Sequence, residues 1–340
     1  MKEIAIVILN WNGRELLEKF LPKVIHYSET AKIIIADNAS SDDSIEFIRT
    51  SFPTIQIISN SSNSGYAKGY NDVLKKIEAK YYLLLNNDVE VTQGWLEPLL
   101  NKIKDPEVAG CQPKILSHEN KEYFEYAGAA GGYLDKNYFP FCRGRIFNNL
   151  EKDRGQYDGC VEVFWTSGAC FLIRSELFHK VGGFDEDFFA HMEEIDLCWR
   201  LKKLNYKFMV VPDSVVYHLG GGSLSYDSPR KVYLNFRNSL IMTAKNHKGW
   251  IGFKLSQRLV IDGIAGMNYL LRGEFRNFGA VIKAHFSHHF NIYRTLKKRK
   301  SIKRSTTKFN SAGLFRASIL WSFYFRGAKQ FSKLNQRFFK

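Results

Sequence analysis

Short apolar runs alternate with amphipathic stretches of helical period along the first part of the chain. The apolar runs cover 4–9, 32–36, 55–59 and 81–85, and the helical patterns cover about 13–26, 43–51 and 66–79. Each apolar run has the length of a buried strand rather than of a helix. This rhythm predicts an α/β protein with a mostly parallel sheet and right-handed crossovers.

A polar cluster follows each of these four predicted strands. The clusters occupy 10–13, 37–43, 60–65 and 86–88. In a parallel sheet they lie along one edge, where open α/β sheets bind their ligands. A nucleotide fits such an edge, with a carboxylate such as Asp37 accepting hydrogen bonds from a base or ribose. Asp88 is the first candidate functional residue, although Asn and Asp also end strands simply as turn formers.

The phosphate-binding glycine motifs are absent from the sequence. No Gly-x-Gly-x-x-Gly follows the first predicted strand, and no Gly-x-x-x-x-Gly-Lys-Ser/Thr occurs anywhere. Dinucleotide oxidoreductases and P-loop phosphotransferases are therefore poor interpretations. A bound diphosphate would need a metal held by hard oxygen or imidazole ligands.

The middle of the chain gives weaker patterns. After a predicted strand over 108–113, the Gly- and Tyr-rich segment 123–160 has no clear period, which is typical of a functional cover or of disorder. The strand-like run 161–174 is interrupted near Gly168, which either lets the backbone approach a ligand or marks a bulge. Residues 210–218 predict a last pair of edge strands, ending at a histidine that is either a metal ligand or structural.

Three carboxylates crowd the start of a predicted helix that begins near Met192. They are Glu193, Glu194 and Asp196. Crowding raises carboxylate pKa values, which suits a general base. The alternative is structural, because carboxylates suit the first turn of a helix and Asp196 can pair with Arg200 one turn later.

Charge divides the chain into two regions. The net charge is +15, but residues 225–340 carry 24 Lys and Arg against three carboxylates, and the first 224 residues carry 25 against 31. We therefore predict a catalytic domain over 1–224, with halves of about 1–115 and 116–224, and a basic helical region over 225–340.

The basic region is amphipathic from Pro229 onward and contains a basic run over 294–304 and a predicted final helix with Phe315 and Trp321. Basic amphipathic helices with aromatic anchors suit an anionic membrane surface. A homo-oligomer interface is the alternative. Nucleic acid is not expected as a partner, because no reader motif accompanies the charge.

Cysteine usage and apolar length bear on location. The five cysteines are scattered without a Cys-x-x-Cys pair, which favours a reducing compartment. The N-terminal apolar run is too short for a signal peptide, and no window has the ~18 to 20 apolar residues of a spanning helix. We expect a cytoplasmic protein that binds the inner face of the cell membrane peripherally.

An ordered set of motifs resembles the family 2 inverting glycosyltransferases, particularly their rhamnosyltransferase-like branch. The motifs are VILNWNG (7–13), ADNASSD (36–42), NSGYA (63–67) with Asn71, LLNNDV (84–89), GFDE (183–186), EEIDL (193–197) and HLGG (218–221). Each motif is weakly specific alone, but the set follows the family's order across roughly residues 4–223.

The resemblance implies a GT-A fold, with a nucleotide-binding half and an acceptor-binding half that complete one Rossmann-like sheet. It implies that Glu194 is the base and that Asp88, at the family's Asp-x-Asp position, binds Mg²⁺ or Mn²⁺ together with His218. Asp37 would contact the nucleotide base. The full set of residues implied in nucleotide-sugar binding is Asn10, Asp37, Asn63, Gly65, Asn71, Asn86, Asn87 and Gly168.

Two positions depart from the family pattern. Asn86 stands where the metal motif often has Asp, as in the rhamnosyltransferase-like branch, which leaves one carboxylate for the metal. Glu194 stands where Asp is usual, so Glu193 or Asp196 could exchange roles with it. The Gln-x-x-Arg-Trp motif of processive synthases is absent, which favours transfer of one or a few sugars.

The expected function is sugar transfer from a nucleotide-diphosphate sugar to a glycan or lipid-linked acceptor in cell-surface polysaccharide synthesis. A sugar nucleotidyltransferase would share the fold but needs a Gly- and Arg-rich phosphate loop, which residues 10–14 do not form. A catalytically degenerate nucleotide-sugar or glycan-binding module with a membrane-attached tail is the non-enzymatic alternative.

Overall fold

Two β-sheets and their covering helices make up the computed structural model, which describes residues 3–220 and 228–340. Residues 221–227, which include Gly221 of the last motif and the predicted domain boundary, lie outside the described residues. The strands are β1 (Ile4–Asn10), β2 (Lys32–Asp37), β3 (Gln56–Ser59), β4 (Tyr81–Asn86), β5 (Val89–Val91), β6 (Val108–Ser117), β7 (Gly132–Asp135), β8 (Pro140–Cys142), β9 (Arg145–Ile146), β10 (Asn149–Leu150), β11 (Val161–Val163), β12 (Cys170–Arg174), β13 (Lys207–His218) and β14 (Leu314–Phe315).

The larger sheet has nine strands in the order β11-β13-β6-β12-β4-β1-β2-β3, with β5 paired to β13. Strands β1, β2, β3, β4, β6 and β13 run in one direction, and β5, β11 and β12 run in the other. The register pairs Asn10 with Asp37 and Leu9 with Asn86. The prediction that these strands end at one edge of a mostly parallel sheet is therefore confirmed.

Helices cover both faces of this sheet. The helices of the described residues are α1 (Arg14–His26), α2 (Ser44–Ser51), α3 (Gly65–Leu74), α4 (Leu96–Ile103), α5 (Ser175–Lys180) and α6 (Glu193–Lys202), followed in the C-terminal region by α7 (Pro229–Asn246), α8 (Ile251–Leu271), α9 (Phe275–Phe290), α10 (Ile292–Ser305) and α11 (Ile319–Tyr324). Ala5 and Val7 of β1 pack in one core with Tyr70 of α3, and Ile6 packs in the other core with Leu17 of α1. Burial of alternate residues on both faces explains why the strands read as unbroken apolar runs.

The predicted pair of edge strands over 210–218 is wrong. One strand, β13, runs from Lys207 to His218 in the interior of the sheet, with β6 on one side and β11 and β5 on the other. The sequence Pro212-Asp213-Ser214 resembles a turn, but the register shift between Val211 and Val215 absorbs it as an irregularity within the strand. The Ser214 hydroxyl donates to the carbonyl of Trp95 at 2.5 Å. This contact fixes the irregular point of β13 on the loop that ends at Trp95.

The segment without a clear period, 123–160, folds mainly into the second sheet, in the order β10-β9-β8-β7-β14. Its last strand comes from the C-terminal region, since β14 pairs in parallel with β7. Phe315 is therefore buried in a strand and not in the predicted final helix, which begins at Ile319. The ring of Phe331 packs on Tyr133 at a centroid distance of 4.9 Å, so the C-terminal segment also supplies part of the core beside this sheet.

The basic region is helical and folds back on the catalytic part of the chain. Helix α7 contacts α6, and α8, α9 and α10 contact α7. The division into two domains stays a prediction. Within the described ranges, no helix is both long enough and apolar enough to cross a membrane.

Candidate active site

Asparagine side chains join the loops at the carboxyl edge of the sheet. Asn10, at the end of β1, is fully buried and donates from Nδ2 to the hydroxyl of Ser44 at 3.0 Å. Its Oδ1 accepts from Asn87 Nδ2 at 3.0 Å. One amide therefore connects the strand ends of β1 and β4 with the start of α2, and its contacts hold the edge rather than face a ligand.

The nucleotide-side candidates lie along the same edge. Asp37 is buried and accepts from the backbone N–H of Ser40 at 3.2 Å. Asn63 is exposed, and its Oδ1 accepts from Asn38 Nδ2 and from the N–H of Gly65, both at 3.0 Å. Gly65 has a φ of +83°, and a Cβ there would lie 2.4 Å from a backbone oxygen of the loop before α6. Glycine is thus required where the edge meets that loop.

Asn71 binds the segment before α6. Its amide is buried, donates to the carbonyl of Phe184 at 2.9 Å and accepts from the N–H of Phe184 at 2.9 Å. These contacts favour a structural role, fixing the segment before α6, over the nucleotide-binding role that the resemblance implied.

A buried carboxylate–imidazole–carboxylate row stands at the end of β4 and β13. His218 Nε2 lies 3.1 Å from Asp88 Oδ1, and His218 Nδ1 lies 3.3 Å from Glu125 Oε1. The amide of Asn86 reaches His218 Nε2 at 3.5 Å. Burial opposes the charge on His218, but the two carboxylates outweigh it and raise its pKa to about 10. The structure thus brings together both predicted metal ligands and adds Glu125.

The chemistry of this row fits a divalent cation in part. Asp88 Oδ1 is buried and accepts no well-aligned hydrogen bond, so it has a lone pair available. Asp88 Oδ1 suits Mg²⁺ or Mn²⁺, and a carboxylate behind the imidazole is the usual orienting partner of a ligating histidine. Because the pKa of His218 is raised to about 10, a cation would have to displace the proton on Nε2 before this nitrogen could bind it. In the described part of the chain, no group of three or more His, Cys, Asp and Glu side chains could hold a metal ion. A cation here would have two protein ligands, with the other positions left to donor oxygens and water.

The loop before α6 has an unusual backbone. Phe189, His191 and Met192 have φ values of 61°, 70° and 75°, in the left-handed region that costs non-glycine residues energy. The buried Asn238 of α7 holds this loop by donating to the carbonyls of Phe188, Ala190 and His191 at 2.9, 2.8 and 2.8 Å. The basic region therefore fixes the backbone that leads into the acidic cluster.

The first two carboxylates of α6 carry uncommitted oxygens. Oε2 of Glu193 and Oε2 of Glu194 are both buried without a hydrogen-bond partner. Burial and the neighbouring Glu194 raise the pKa of Glu193 well above its ordinary value, and burial raises the pKa of Glu194 to about 7. Glu193 is buried, whereas Glu194 is half-buried as a residue with its Oε2 enclosed, so Glu194 is the more exposed of the two and has a near-neutral pKa.

Asp196, the third catalytic candidate, is fully committed. Its oxygens accept from Arg200 Nε at 2.8 Å, Lys245 Nζ at 2.9 Å and Asn246 Nδ2 at 2.7 Å. Burial opposes its charge, but Lys245 and Arg200 hold the pKa of this carboxyl below its ordinary value. A low pKa and three donors make a poor base, so the contacts favour a role in joining α6 to α7.

Gly168 lies in the turn between β11 and β12. The Tyr66 hydroxyl donates to its carbonyl at 2.7 Å, and a Cβ on Gly168 would lie 3.1 Å from that hydroxyl oxygen. The close neighbour at this glycine is thus the side chain of Tyr66, which starts α3 beside the edge.

Sequence reasoning missed Glu125, Asn238 and Lys245. Glu125 lies in the segment without a period, and the other two lie on a helix whose pattern shows only that it is amphipathic. Their roles depend on contacts between segments that are distant in sequence. No local motif marks them.

The sheet order, the polar edge and the acidic start of α6 define the protein class as a GT-A glycosyltransferase. Solved structures share this fold: GalNAc-T7 with UDP, GalNAc and Mn²⁺ has a TM-score of 0.54 and 19% identity over 72% of this chain and 48% of that chain. The mannosyltransferase PcManGT from Pyrobaculum calidifontis, in complex with GDP-Man and Mn²⁺, has a TM-score of 0.53 and 12% identity over 85% of this chain and 87% of that chain. The sequence model of glycosyl transferase family 2 matches residues 5–182, and the chain belongs to this family.

Relatives with assigned activities include sugar transferases from bacteria and an archaeon. An N-acetylglucosaminyl-diphospho-decaprenol L-rhamnosyltransferase of Mycobacterium tuberculosis is 24% identical over 263 residues, covering 73% of this chain and 86% of the relative. The low-salt glycan biosynthesis hexosyltransferase Agl10 of Haloferax volcanii is 23% identical, covering 71% and 75%. The rhamnosyltransferase WbbL of Escherichia coli is 24% identical, covering 62% and 80%. The rhamnosyltransferase-like resemblance is confirmed.

Proposed function

We propose that this enzyme is an inverting glycosyltransferase that moves one sugar, or a few, from a nucleotide-diphosphate sugar to a lipid-linked or other glycan acceptor in cell-surface polysaccharide synthesis. The observation that carries the proposal is Glu194, a half-buried carboxylate with a pKa of about 7 and an oxygen free to accept a proton. It lies in the first turn of α6, after a loop that packs on Gly65 at the carboxyl edge of the sheet.

The classes of donor and acceptor are proposed by analogy with the relatives. The name of the Mycobacterium tuberculosis relative specifies a lipid-linked acceptor, and the two solved neighbours contain UDP with GalNAc, or GDP-Man, each with Mn²⁺. For this chain we propose a nucleotide-diphosphate sugar donor, a divalent cation and a lipid-linked acceptor. The site of action would be the cytoplasmic face of the cell membrane, in agreement with five cysteines that are all unpaired.

In the proposed reaction, Glu194 accepts the proton of an acceptor hydroxyl while that oxygen attacks the anomeric carbon from the face opposite the nucleotide. The bond from the anomeric carbon to the diphosphate breaks in the same displacement, so the configuration inverts. Asp88 and His218 would hold a divalent cation, which would supply positive charge to stabilise the leaving diphosphate. Glu125 orients His218 through Nδ1, and Asp37 accepts hydrogen bonds from the nucleoside.

Release of nucleotide diphosphate tests this proposal. The purified protein is incubated with UDP-, GDP- and dTDP-sugars, Mn²⁺ or Mg²⁺ and a membrane lipid extract, with a chelator control. We expect release that needs both metal and extract. Glu194→Gln should lower turnover by about 10²- to 10⁴-fold, the usual contribution of a general base, and leave donor binding nearly intact. The matched control is Glu176→Gln, an exposed carboxylate on α5; equal turnover in the two variants would remove Glu194 as the base.

A catalytically degenerate nucleotide-sugar or glycan-binding module is the second candidate. It is favoured by the sparse metal site, since Asp88 supplies a single carboxylate and the residues that the structure describes offer no three-ligand group. The same assay separates the two candidates. Metal-dependent donor binding by calorimetry, without release from any donor in the presence of acceptor, would favour the binding module.

A further inference from the structure

Helix α8 buries charged side chains and exposes apolar ones, which is the reverse of an ordinary surface helix. Its buried positions are Lys254, Arg258, Asp262 and Gly266, spaced four residues apart. The Arg258 guanidinium is fully enclosed and donates to the carbonyl of Asn137 and to the hydroxyl of Ser239, both at 2.8 Å. The charged stripe of α8 is therefore used to attach the helix to the protein, and its apolar stripe faces outward.

The outward stripe continues on α9, which follows α8 after a turn at Gly273, where φ is +74°. We call this set the hairpin face. Its members are 41% to 83% exposed: Phe253, Val260, Ile264, Met267, Leu271, Phe275, Ile282, Phe286 and Phe290. On its other side α9 buries Val281 and Ala284 against α7, so the helix is anchored while its aromatic side chains stay outside. Many exposed apolar side chains on two helices that pack together mark a binding site for a protein or a membrane.

The charges around the hairpin face select between those two partners. From residue 248 to residue 304 the chain has 13 Lys and Arg against two carboxylates, Asp262 and Glu274. Asp262 lies on the buried side of α8. Arg272, Arg276 and Lys283 are exposed on the hairpin. A second copy of this chain would bring like charges together. An anionic bilayer complements both the cations and the apolar side chains.

We propose that the α8–α9 hairpin docks on an anionic membrane surface, with the hairpin face in the boundary between headgroups and acyl chains and both helix axes in the membrane plane. This inference deepens the proposed function, because docking would bring a lipid-linked acceptor to the enzyme. Helix α7, which packs on the hairpin, also carries Asn238, so the docked region is directly connected to the loop before α6.

Vesicle binding by the full chain, measured without donor or acceptor, tests the docking separately from catalysis. The probes are phosphatidylcholine vesicles with and without phosphatidylglycerol, and the readout is co-flotation. The combined variant Arg272→Gln, Arg276→Gln and Lys283→Gln should bind anionic vesicles roughly 100-fold more weakly, since each cation near such a surface contributes about 1 kcal/mol. The charge-matched control replaces Lys32, Lys76 and Lys180, exposed lysines outside the basic region, by Gln and should bind as the unaltered protein does.

A second variant tests the apolar part. Ile264→Ser combined with Leu271→Ser and Phe286→Ser should lower binding at least about tenfold, while Leu150→Ser, on an exposed leucine of the second sheet, should not change it. Full binding by both hairpin variants would overturn the proposal. A stable dimer that becomes monomeric in the serine variant, with no vesicle binding by the unaltered chain, would also overturn it and assign the face to a second copy. Docking with no nucleotide-diphosphate release would support this inference and count only against the proposed reaction.

Discussion

Asn238→Ala should damage catalysis more than stability. The side chain donates to three carbonyls of the loop before α6, those of Phe188, Ala190 and His191. Among the described residues, the hydrogen-bond partners of the Asn238 side chain do not include any at the carboxyl edge of the sheet. The substitution therefore changes the path of one loop and leaves the strand ends at the carboxyl edge, where we propose that the donor binds, as they are.

Two opposing terms set the expected stability change. The amide has two N–H groups, which the three carbonyls share, and each contributes about 0.5 to 1.5 kcal/mol, so their loss costs roughly 1 to 3 kcal/mol. Three non-glycine residues in this loop have positive φ, and each such conformation costs on the order of 1 kcal/mol or more. A loop released from Asn238 can relax and recover that strain. If the loop recovers about 1 kcal/mol of that strain, the net loss in the free energy of unfolding is about 0 to 2 kcal/mol.

Relaxation should move Glu194, because α6 begins where the loop ends. A displacement near 1 Å costs about 10²-fold in rate when it misplaces a reacting group. The assays are urea unfolding, nucleotide-diphosphate release at saturating donor, and donor binding by calorimetry. Donor affinity should stay near that of the unaltered protein.

Asn277→Ala is the matched control, because Asn277 is a buried asparagine of the same helical region that donates only within α9's first turn, to Glu274 at 2.7 Å. It should lose about 1 kcal/mol of stability and keep its turnover. The reasoning is refuted if Asn238→Ala loses several kcal/mol of stability yet turns over within about twofold of the unaltered protein. That result would mean that the loop keeps its path without Asn238.

Three further predictions follow from the site and the second sheet. Turnover should rise with pH through about 7 and level above it, because burial raises the pKa of Glu194 to about 7 and a base must be deprotonated to act. Glu125→Gln should weaken Mn²⁺ binding about 10- to 100-fold in a calorimetric titration, because it removes the carboxylate 3.3 Å from His218 Nδ1. Phe331→Ala should lower the free energy of unfolding by about 3 to 5 kcal/mol in urea, because its buried ring packs on Tyr133.

Each of these has a control on the same chain. The pH dependence should disappear in the residual activity of Glu194→Gln; an unchanged profile would assign the titration to another group. Glu122→Gln changes an exposed carboxylate near Glu125 and should leave Mn²⁺ affinity unchanged; equal weakening in both variants would contradict the orienting role. Phe325→Ala, at a residue that is 72% exposed, should lower the free energy of unfolding by less than about 0.5 kcal/mol. An equally small decrease for Phe331→Ala would show that the C-terminal segment contributes little to stability.

Local patterns predicted the nucleotide-side half of the fold well. Strands β1 to β4 and helices α1 to α3 lie within a few residues of their predicted limits, because each element has its own apolar period and its own terminating polar cluster. The pairing of Asp88 with His218 was also expected from motif order, and the structure places them 3.1 Å apart. The metal itself and the catalytic assignments stay predictions.

Features that depend on distant partners were not predictable in this way. The sequence predicts Phe315 in an aromatic helix, but its segment is a strand because it forms backbone hydrogen bonds with strand β7. Asp196 reads as a candidate base because the sequence shows its acidic neighbours, whereas Lys245, which neutralises it, lies 49 residues later. A sequence pattern shows like charges that are close along the chain, but it does not show an opposite charge that the fold brings next to them.

The inverted helix α8 joins these observations. From the sequence alone, the apolar stripe of α8 would be expected to face the core. The burial of Arg258 shows instead that the charged stripe faces the protein. A helix attached through buried charges keeps its apolar side available for a lipid surface without losing its place on α7. Since α7 also holds the loop before Glu194 through Asn238, the same helix that supports the hairpin proposed to dock on a membrane supports the proposed base. The basic region is thus better understood as part of the active-site framework than as an appended tail.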